Sequence, residues 1–251
     1  VPIEGVTVTY TVGQETRPAE EKTALVPLER LVIDGGTLPA PGFLRCTVKA
    51  DVAGKTWKGV ATAAFEPEKI APTQTEPSDF DAFWAKGLAE LAQIPLEARL
   101  TLLPDQCTDK VNVYHVSFRT VGEAWTAPAR IYGIYCEPKA PGKYPALLRV
   151  PGAGVRPYGG DKGTASEGAI TLEIGIHGIP VNLPQETYDQ LLAGALKGYW
   201  FFNLDDRDTY YYRRVYLSAV RANDFLTSRA NWDGRTLVVA GASQGGQLSI
   251  V

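Results

Sequence analysis

The stretch Gly241-Ala242-Ser243-Gln244-Gly245-Gly246 decides the fold class of this chain. It follows the apolar run Thr236-Leu237-Val238-Val239-Ala240, which predicts a buried strand, and it precedes a segment that predicts the start of a helix. A strand, a sharp turn around a serine and a helix make up the G-x-S-x-G nucleophile elbow, where only small residues fit beside the strained turn. Ser243 is therefore the predicted nucleophile, and an ordinary glycine-rich strand-to-helix turn is the alternative.

Composition limits the classes of function that remain. The chain has 251 residues, which is enough for one large or two modest domains, and 45% hydrophobic with 21% charged residues is typical of a soluble globular protein. A net charge of −3 gives no electrostatic basis for binding nucleic acid or an anionic membrane. No apolar run is long enough to predict a membrane span. The start of the chain shows no signal-peptide pattern.

Metal-ligand spacing is not found in the sequence. Cys46, Cys107 and Cys136 leave open either one disulfide with a spare thiol or three free thiols. Three nearby acidic residues have no histidine close by and are interpreted as a solvated loop or a helix cap (Asp205, Asp206 and Asp208). We predict no metal and no cofactor.

The N-terminal part differs in pattern from the remainder. Residues 1–70 hold alternating, β-branched segments separated by turn signals, which predict a small β-sandwich of immunoglobulin-like type without chemistry of its own. Residues 71–77 are predicted to be a linker, within a segment that is rich in proline. Residues 78–251 alternate predicted strands with predicted helices, which indicates an α/β domain with a mostly parallel sheet.

Two predicted helices of this domain carry marked patterns. The first begins near Ser78, with Asp81 in a capping-box position, and its apolar stripe is predicted to be core (Phe80, Phe83, Trp84, Leu88 and Leu91). The second spans residues 209–229. Its three off-stripe arginines are interpreted as a solvated face or as salt-bridge partners (Arg213, Arg214 and Arg221).

Three motifs in order resemble one known family. They are residues 77–84 (Pro-Ser-Asp-Phe-Asp-Ala-Phe-Trp), the tyrosine- and arginine-rich residues 210–216, and residues 241–246. Together they resemble the acetyl xylan esterase and cephalosporin C deacetylase family, carbohydrate esterase family seven, over about residues 77–251. The resemblance implies an α/β-hydrolase fold, a serine–aspartate–histidine triad without metal or organic cofactor, and removal of acetyl groups from short xylo-oligosaccharides and small esters.

The resemblance also assigns roles to single positions. Ser243 matches the nucleophile, and Gln244 matches the residue whose backbone N–H is one oxyanion donor. Ala153 falls where the family supplies the second N–H, although the family's His-Gly-Tyr is Pro-Gly-Ala here. His177 falls on the arginine of the family's Arg-Gly-Gln motif, which an imidazole cannot replace in bidentate contacts. For His177 both a structural hydrogen-bonding role and a place in the substrate pocket are open.

The rest of the expected triad has no candidate in the sequence. In this fold the chain order is serine, acid, histidine, but His115 and His177 both precede Ser243. His115 lies in a strand-like run and is interpreted as structural. We therefore expect the acid and the base in a C-terminal part that these residues do not include.

The sequence as a whole predicts a serine esterase that acts on acetylated carbohydrate or a similar small ester. Two alternatives remain: another hydrolase of the same fold, such as a feruloyl or glucuronoyl esterase or a peptidase, and a carbohydrate-binding protein with a degenerate hydrolase domain. Because xylan-type substrates are met outside the cytoplasm, we expect a periplasmic or secreted protein. Assembly into a homo-oligomer is left open.

Overall fold

The computed structural model describes residues 5–26, 30–122 and 128–251. The chain divides into two compact units, Val1–Pro77 and Ser78–Val251, which are described separately below. A short 3-10 turn at Pro67–Lys69 lies near the end of the first unit, and residues 70–77 form neither helix nor strand.

The first unit contains one antiparallel sheet. Its strands are β1 (Thr7–Gln14), β2 (Glu21–Leu25), β3 (Gly42–Val52) and β4 (Lys55–Phe65), in the order β2-β1-β3-β4. The β3–β4 hairpin closes through the two residues Ala53 and Gly54, with φ of 52° and 75°. Two positive φ values match the type I′ turn, whose twist suits the flanking strands.

The predicted β-sandwich is not what the described residues of this unit form. They make a single four-stranded sheet, without a second sheet packed face to face. On β4, Trp57 is 57% exposed and Val60 is 56% exposed, whereas Val8 on β1 is 5% exposed. Alternating β-branched residues predicted the strands themselves, but they contain no information about a covering layer.

The second unit is a mixed α/β domain built on a six-stranded sheet. The strands are β5 (Arg99–Leu102), β6 (Val111–Thr120), β7 (Ala129–Pro138), β8 (Tyr144–Arg149), β9 (Ile170–Ile174) and β10 (Trp232–Ala240). They lie in the order β10-β8-β9-β7-β6-β5. The helices are α1 (Phe80–Ala92), α2 (Lys162–Ser166), α3 (Gln185–Ala193), α4 (Tyr211–Thr227) and α5 (Gln244–Leu248).

The prediction of a mostly parallel sheet does not hold for the described strands. Strands β10, β8 and β9 are parallel to one another, whereas β7 runs antiparallel to β9, and β6 and β5 continue antiparallel. The reason lies in the connections. No α-helix separates β5, β6 and β7 in the described residues, so they form a meander, while helices connect the three parallel strands.

The core of this unit lies between the sheet and α4. Phe118 on β6 stacks on Phe225 of α4 with ring centroids 5.2 Å apart, and Tyr135 on β7 meets the same ring edge-on. These three side chains are completely buried. Since β8, β9 and β10 are parallel neighbours, their carboxyl ends lie at one edge of the sheet, where ligands of open α/β sheets bind.

Helix α1 differs from its prediction in two ways. It begins at Phe80 after Asp79, and no side chain caps it, because the Asp79 carboxylate forms a salt bridge with Arg207 instead.

The apolar stripe of α1 is only partly core: Leu91 is 2% exposed, but Phe80 is 44% and Leu88 is 46% exposed. This stripe lines a groove of about 630 Å³ that is bounded on its other side by α4 and α5. Helical periodicity identified the apolar face but not what covers it.

The three arginines of α4 are buried, so the predicted solvated face is wrong. Arg213, Arg214 and Arg221 are each less than 10% exposed. The salt-bridge interpretation fits two of them: Arg213 contacts Glu90 on α1 at 2.6 Å, and Arg221 contacts Asp224 at 3.4 Å. Helix α1 packs on α4 beside Arg213 and Arg221, whose guanidinium ends reach Glu90 and the Leu91 carbonyl, while Arg214 lies over the Tyr211 ring at 4.9 Å.

Two further predictions concern single features. The structure leaves Cys46, Cys107 and Cys136 as free thiols, which decides between the two alternatives of the sequence. Over the described ranges, no helix is both long enough and apolar enough to cross a membrane.

Candidate active site

The turn around Ser243 has the strained backbone that a nucleophile elbow requires. Ser243 adopts φ 56° and ψ −123°, which a residue with a side chain rarely adopts and which costs about 1–3 kcal/mol. It lies between the end of β10 and the start of α5 at Gln244, and its side chain faces solvent. The backbone reverses tightly here, because the Gly245 N–H donates to the Ala242 carbonyl at 2.9 Å.

Close packing explains two of the three glycines around this serine. A Cβ added to Gly241 would lie 2.4 Å from the backbone of Gly245, and one added to Gly245 would lie 2.5 Å from the Val150 carbonyl oxygen. Neither backbone neighbour can move aside easily. Gly246 differs, since its nearest neighbour would be 3.8 Å away. Gly241 is therefore required by close contact within the elbow, and Gly245 by contact between the elbow and the end of β8.

The segment 151–154, which we call the oxyanion loop, follows β8 and lies beside the elbow. Strands β8 and β10 are parallel with Arg149 opposite Ala240, and the Val150 N–H donates to the Ala240 carbonyl at 3.1 Å. A Cβ on Gly152 would lie 3.3 Å from the Ala242 carbonyl oxygen. The two turns that leave the parallel strands are therefore in direct contact.

Both predicted oxyanion donors are available. Within the part of the chain that the structure describes, neither the Ala153 N–H nor the Gln244 N–H has a hydrogen-bond acceptor. Ala153 is exposed, while its flanking loop residues are partly buried. Free backbone N–H groups beside a nucleophile can stabilise the negative oxygen of a tetrahedral intermediate.

The side chain of Gln244 forms a buried hydrogen-bond network with the oxyanion loop. Its Nε2 donates to the Pro151 carbonyl at 3.1 Å. Its Oε1 accepts from the hydroxyls of Tyr199 at 2.8 Å and Tyr212 at 2.5 Å. The Tyr199 oxygen in turn accepts the Gly154 N–H at 3.2 Å. Burial, followed by the neighbouring Tyr199, raises the pKa of Tyr212, so its hydroxyl stays a donor.

His177 follows β9 and holds the end of the same loop. Its Nε2 lies 3.0 Å from the Gly154 carbonyl oxygen, and its Nδ1 lies 2.7 Å from the Tyr211 hydroxyl. A carbonyl can only accept, so Nε2 carries the proton. Burial is the main cause that lowers the pKa of His177, and the charges of Arg214 and Arg156 act in the same direction. The ring is therefore neutral near pH 7, and its Nδ1 accepts from Tyr211.

The exposed side chain of Arg156 binds the two middle carbonyls of the loop. Arg156 donates from Nη1 to the Ala153 carbonyl at 2.9 Å and from Nη2 to the Gly152 carbonyl at 3.3 Å. With Gln244 at Pro151 and His177 at Gly154, each of the four loop carbonyls accepts a side-chain hydrogen bond.

The other candidate residues lie elsewhere. His115 is on β6, stacked on Tyr132 at 5.8 Å; burial lowers its pKa, and its Nε2 has no partner among the described residues. Neither His115 nor His177 is hydrogen-bonded to Ser243. In the residues described, no three potential metal ligands come together. The carboxylate of Asp206 accepts from Thr209 in its own loop.

No role was predicted from the sequence for Tyr199, Tyr212 or Arg156, which the structure brings to the site. One general rule could have pointed to the two tyrosines. Buried tyrosines normally find a partner for the hydroxyl, and here two of them converge on one glutamine. Their convergence with Gln244 depends on the tertiary fold and has no local sequence pattern.

A serine in a strained strand-to-helix turn, beside a loop with a free N–H and at the carboxyl edge of parallel strands, is typical of serine hydrolases. The sequence profile of the acetyl xylan esterase (AXE1) family matches residues 66–251. The chain belongs to this family, which confirms the resemblance that the three motifs indicated.

Individual relatives agree with this assignment. Acetyl esterase Axe7A of Xylanibacter ruminicola is 36% identical over 255 residues, which cover 99% of this chain and 56% of that protein. The acetyl xylan esterase from Paenibacillus sp. R4 is 33% identical, with a TM-score of 0.55 over 70% of this chain and 55% of that one. Acetyl xylan esterase 1 from Thermoanaerobacterium sp. JW/SL YS485 is 24% identical and shares the fold, with a TM-score of 0.57 over 69% and 53%. The chain thus spans about half the length of the relatives it matches.

Proposed function

We propose that this chain is part of an α/β-hydrolase-type serine esterase that removes acetyl groups from acetylated xylo-oligosaccharides or similar small carbohydrate esters. The strained Ser243 turn in contact with the oxyanion loop carries the proposal. Membership of the acetyl xylan esterase family supports the choice of ester. A periplasmic or secreted location is part of the proposal, because such substrates lie outside the cell.

The proposed reaction has two steps. The Ser243 Oγ attacks the acetyl carbonyl carbon, and a general base takes its proton. The negative oxygen of the tetrahedral intermediate accepts from the N–H groups of Ala153 and Gln244. Its collapse breaks the bond to the sugar oxygen, which takes up that proton and leaves as a hydroxyl, and an acetyl-enzyme remains. A water then attacks the acetyl group by the same route and releases acetate.

Neither histidine of the sequence is placed to act as the general base of this mechanism. The two histidines of the sequence are bound elsewhere: His177 to Gly154 and Tyr211, and His115 in a strand at Tyr132. The proposal therefore assigns to this chain the nucleophile and the oxyanion donors, and it needs no metal or organic cofactor.

Replacing the proposed nucleophile tests the mechanism. In the full-length enzyme, Ser243→Ala is expected to lower kcat on p-nitrophenyl acetate by about 10⁴–10⁶, by analogy with other triad enzymes. Ser166→Ala, which removes an exposed hydroxyl on α2, is the matched control and should leave kcat unchanged. Near-normal activity of Ser243→Ala would overturn the proposal.

A substrate series tests the choice of ester. Acetylated xylo-oligosaccharide, a feruloylated oligosaccharide and a glucuronoyl methyl ester should be compared by kcat/KM on the same preparation. We expect the acetylated substrate to give the highest value. A preference for either bulky ester would keep the serine mechanism and contradict the acetyl specificity.

A further inference from the structure

We propose that the side chains of His177, Tyr199 and Gln244 are positioning residues that hold the oxyanion loop so that the Ala153 N–H faces Ser243. We call these three side chains the loop bracket. The inference rests on the proposed function, since it assumes that the Ala153 N–H stabilises the tetrahedral intermediate. It adds a role for side chains in a hole whose donors are both backbone groups.

The bracket contacts the loop at both of its ends. Pro151 at the start is bound through its carbonyl to the Gln244 amide. Gly154 at the end is bound through its N–H to Tyr199 and through its carbonyl to His177. The Ala153 N–H lies between these fixed points, so the peptide planes on either side of the donor are restrained.

The available donors and acceptors allow one arrangement of the hydrogen bonds around Gln244 and Tyr199. The Pro151 carbonyl accepts only, so Gln244 must present its NH₂ there and its oxygen to the tyrosines. Tyr199 has one proton, which goes to that oxygen, and its own oxygen is then the acceptor for Gly154. Because the donors and acceptors match, the network has no equally good alternative that would let the loop rotate.

Gln244 takes part in the hole through both its backbone and its side chain. Its backbone N–H is one proposed donor, and its side chain reaches the loop that carries the other donor, directly at Pro151 and through Tyr199 at Gly154. One residue therefore links both halves of the hole. Gln244 is 9% exposed and Tyr199 is fully buried, so water competes little for these bonds.

The conformation of Gly154 makes such restraint useful. Gly154 has φ of 133°, and a Cβ there would lie 2.7 Å from Arg156. Glycine has wide conformational freedom, so a loop that depends on this residue is not held by its own backbone. Side-chain hydrogen bonds to both polar groups of Gly154 remove that freedom.

Three variants of the full-length enzyme test the inference. Tyr199→Phe deletes one oxygen and leaves the Gly154 N–H unpaired, and His177→Leu leaves its carbonyl unpaired. Each is expected to lower kcat/KM for an acetyl ester by about tenfold to hundredfold, the usual cost of an unsatisfied buried group. His177→Gln places an amide donor near the position of Nε2 and should recover most of the loss. His115→Leu is the matched control and should show no change.

A transition-state mimic separates positioning from general damage. A small alkyl boronic acid forms a tetrahedral adduct on the serine, with an oxygen in the hole. Across the three variants its inhibition constant should rise by the factor by which kcat/KM falls, while affinity for a deacetylated xylo-oligosaccharide stays constant. Active-site titration with an organophosphonate corrects every value for unfolded protein.

The outcomes distinguish this inference from the proposed function. If Ser243→Ala abolishes activity but Tyr199→Phe and His177→Leu retain wild-type kcat/KM and boronate affinity, the bracket has no positioning role and the esterase stands. Equal losses in boronate and oligosaccharide affinity would also overturn it, because they would indicate damage to the whole site. If Ser243→Ala remains active, the proposed function itself fails.

Discussion

The two sheets of this protein are built from similar residues but have different surroundings. In the six-stranded sheet, Val111, Val113 and Phe118 of β6 are completely buried. In the four-stranded sheet, Trp57 and Val60 of β4 are more than half exposed. Among the described residues, helices such as α4 pack on the six-stranded sheet, and the strained turn at Ser243 follows its edge strand β10. A strand pattern in a sequence therefore specifies the strand and leaves its covering layer open.

The difference in burial between the two sheets bears on the backbone strain at Ser243. The elbow at Ser243 adopts an unfavourable backbone, which persists only where the surroundings determine it. Here those surroundings are Val150 after β8, which is 4% exposed, and the buried network around Gln244. In the four-stranded sheet the positive φ values of Ala53 and Gly54 belong to a hairpin turn with no such packing.

Among the predictions that compare the two sheets, the largest effect is expected from the packing of the elbow on the covered sheet. Gly245→Ala places a Cβ 2.5 Å from the Val150 carbonyl oxygen and must displace the elbow or β8. We expect kcat/KM to fall by about 10²-fold or more, because a shift of about 1 Å misplaces the reacting groups. Gly246→Ala is the control, since its Cβ would meet nothing closer than 3.8 Å. Similar losses for both variants would show that general helix disturbance, not contact with β8, is responsible.

A matched pair of valines compares the two sheets directly. Val113→Ala on β6 removes two buried methyl groups and is expected to lower the free energy of unfolding of its unit by about 2–3 kcal/mol. Val60→Ala on β4 should cost less than about 0.5 kcal/mol, because the side chain is already in water. Urea denaturation of both variants measures the difference. A cost at Val60 as large as that at Val113 would mean that β4 is covered in solution.

The smallest predicted effect concerns acid stability of the covered sheet. Burial lowers the pKa of His115 in the folded state, whereas the unfolded chain has the ordinary value of 6.5. Below pH of about 6.5 the unfolded state therefore binds more protons, and the free energy of unfolding falls until the pH passes the folded-state pKa.

Replacing this histidine should reduce the acid sensitivity. His115→Phe keeps an aromatic ring against Tyr132 and removes the proton site, so the acid-unfolding midpoint should move to lower pH. Measurements at pH 8 give the packing effect of the substitution alone, because the histidine is neutral in both states there. An unchanged midpoint would mean that His115 is protonated without cost in the folded protein.

Local patterns predicted the elements close to where they are found. The strand predicted at Thr236–Ala240 is the second half of β10 (Trp232–Ala240), although it is not buried, since Val238 is 49% exposed; the helix predicted at 209–229 is Tyr211–Thr227. The family resemblance was also found from three short motifs and is confirmed by the profile match. These features depend on spacing and residue type within one segment, which a sequence displays directly.

Features that depend on what packs against a segment were not predictable in this way. The apolar stripe of α1 was expected in the core, yet Phe80 and Leu88 face an open groove, and the buried Arg214 was expected in solvent or in a salt bridge. The candidate site shows the same limit. The motif predicted Ser243, but the hydroxyl of Tyr199, far away along the chain, reaches Gln244 only through the fold.

Labelling of Ser243 tests the central claim most directly. The full-length enzyme should be treated with a p-nitrophenyl alkylphosphonate, which transfers its alkylphosphonyl group to an activated serine and releases p-nitrophenol. Peptide mass spectrometry is expected to find one label per chain, on Ser243, with loss of esterase activity in proportion to labelling. Ser243→Ala should release no stoichiometric burst of p-nitrophenol. A label on another serine that tracks the loss of activity, or full activity after Ser243 is modified, would contradict the account.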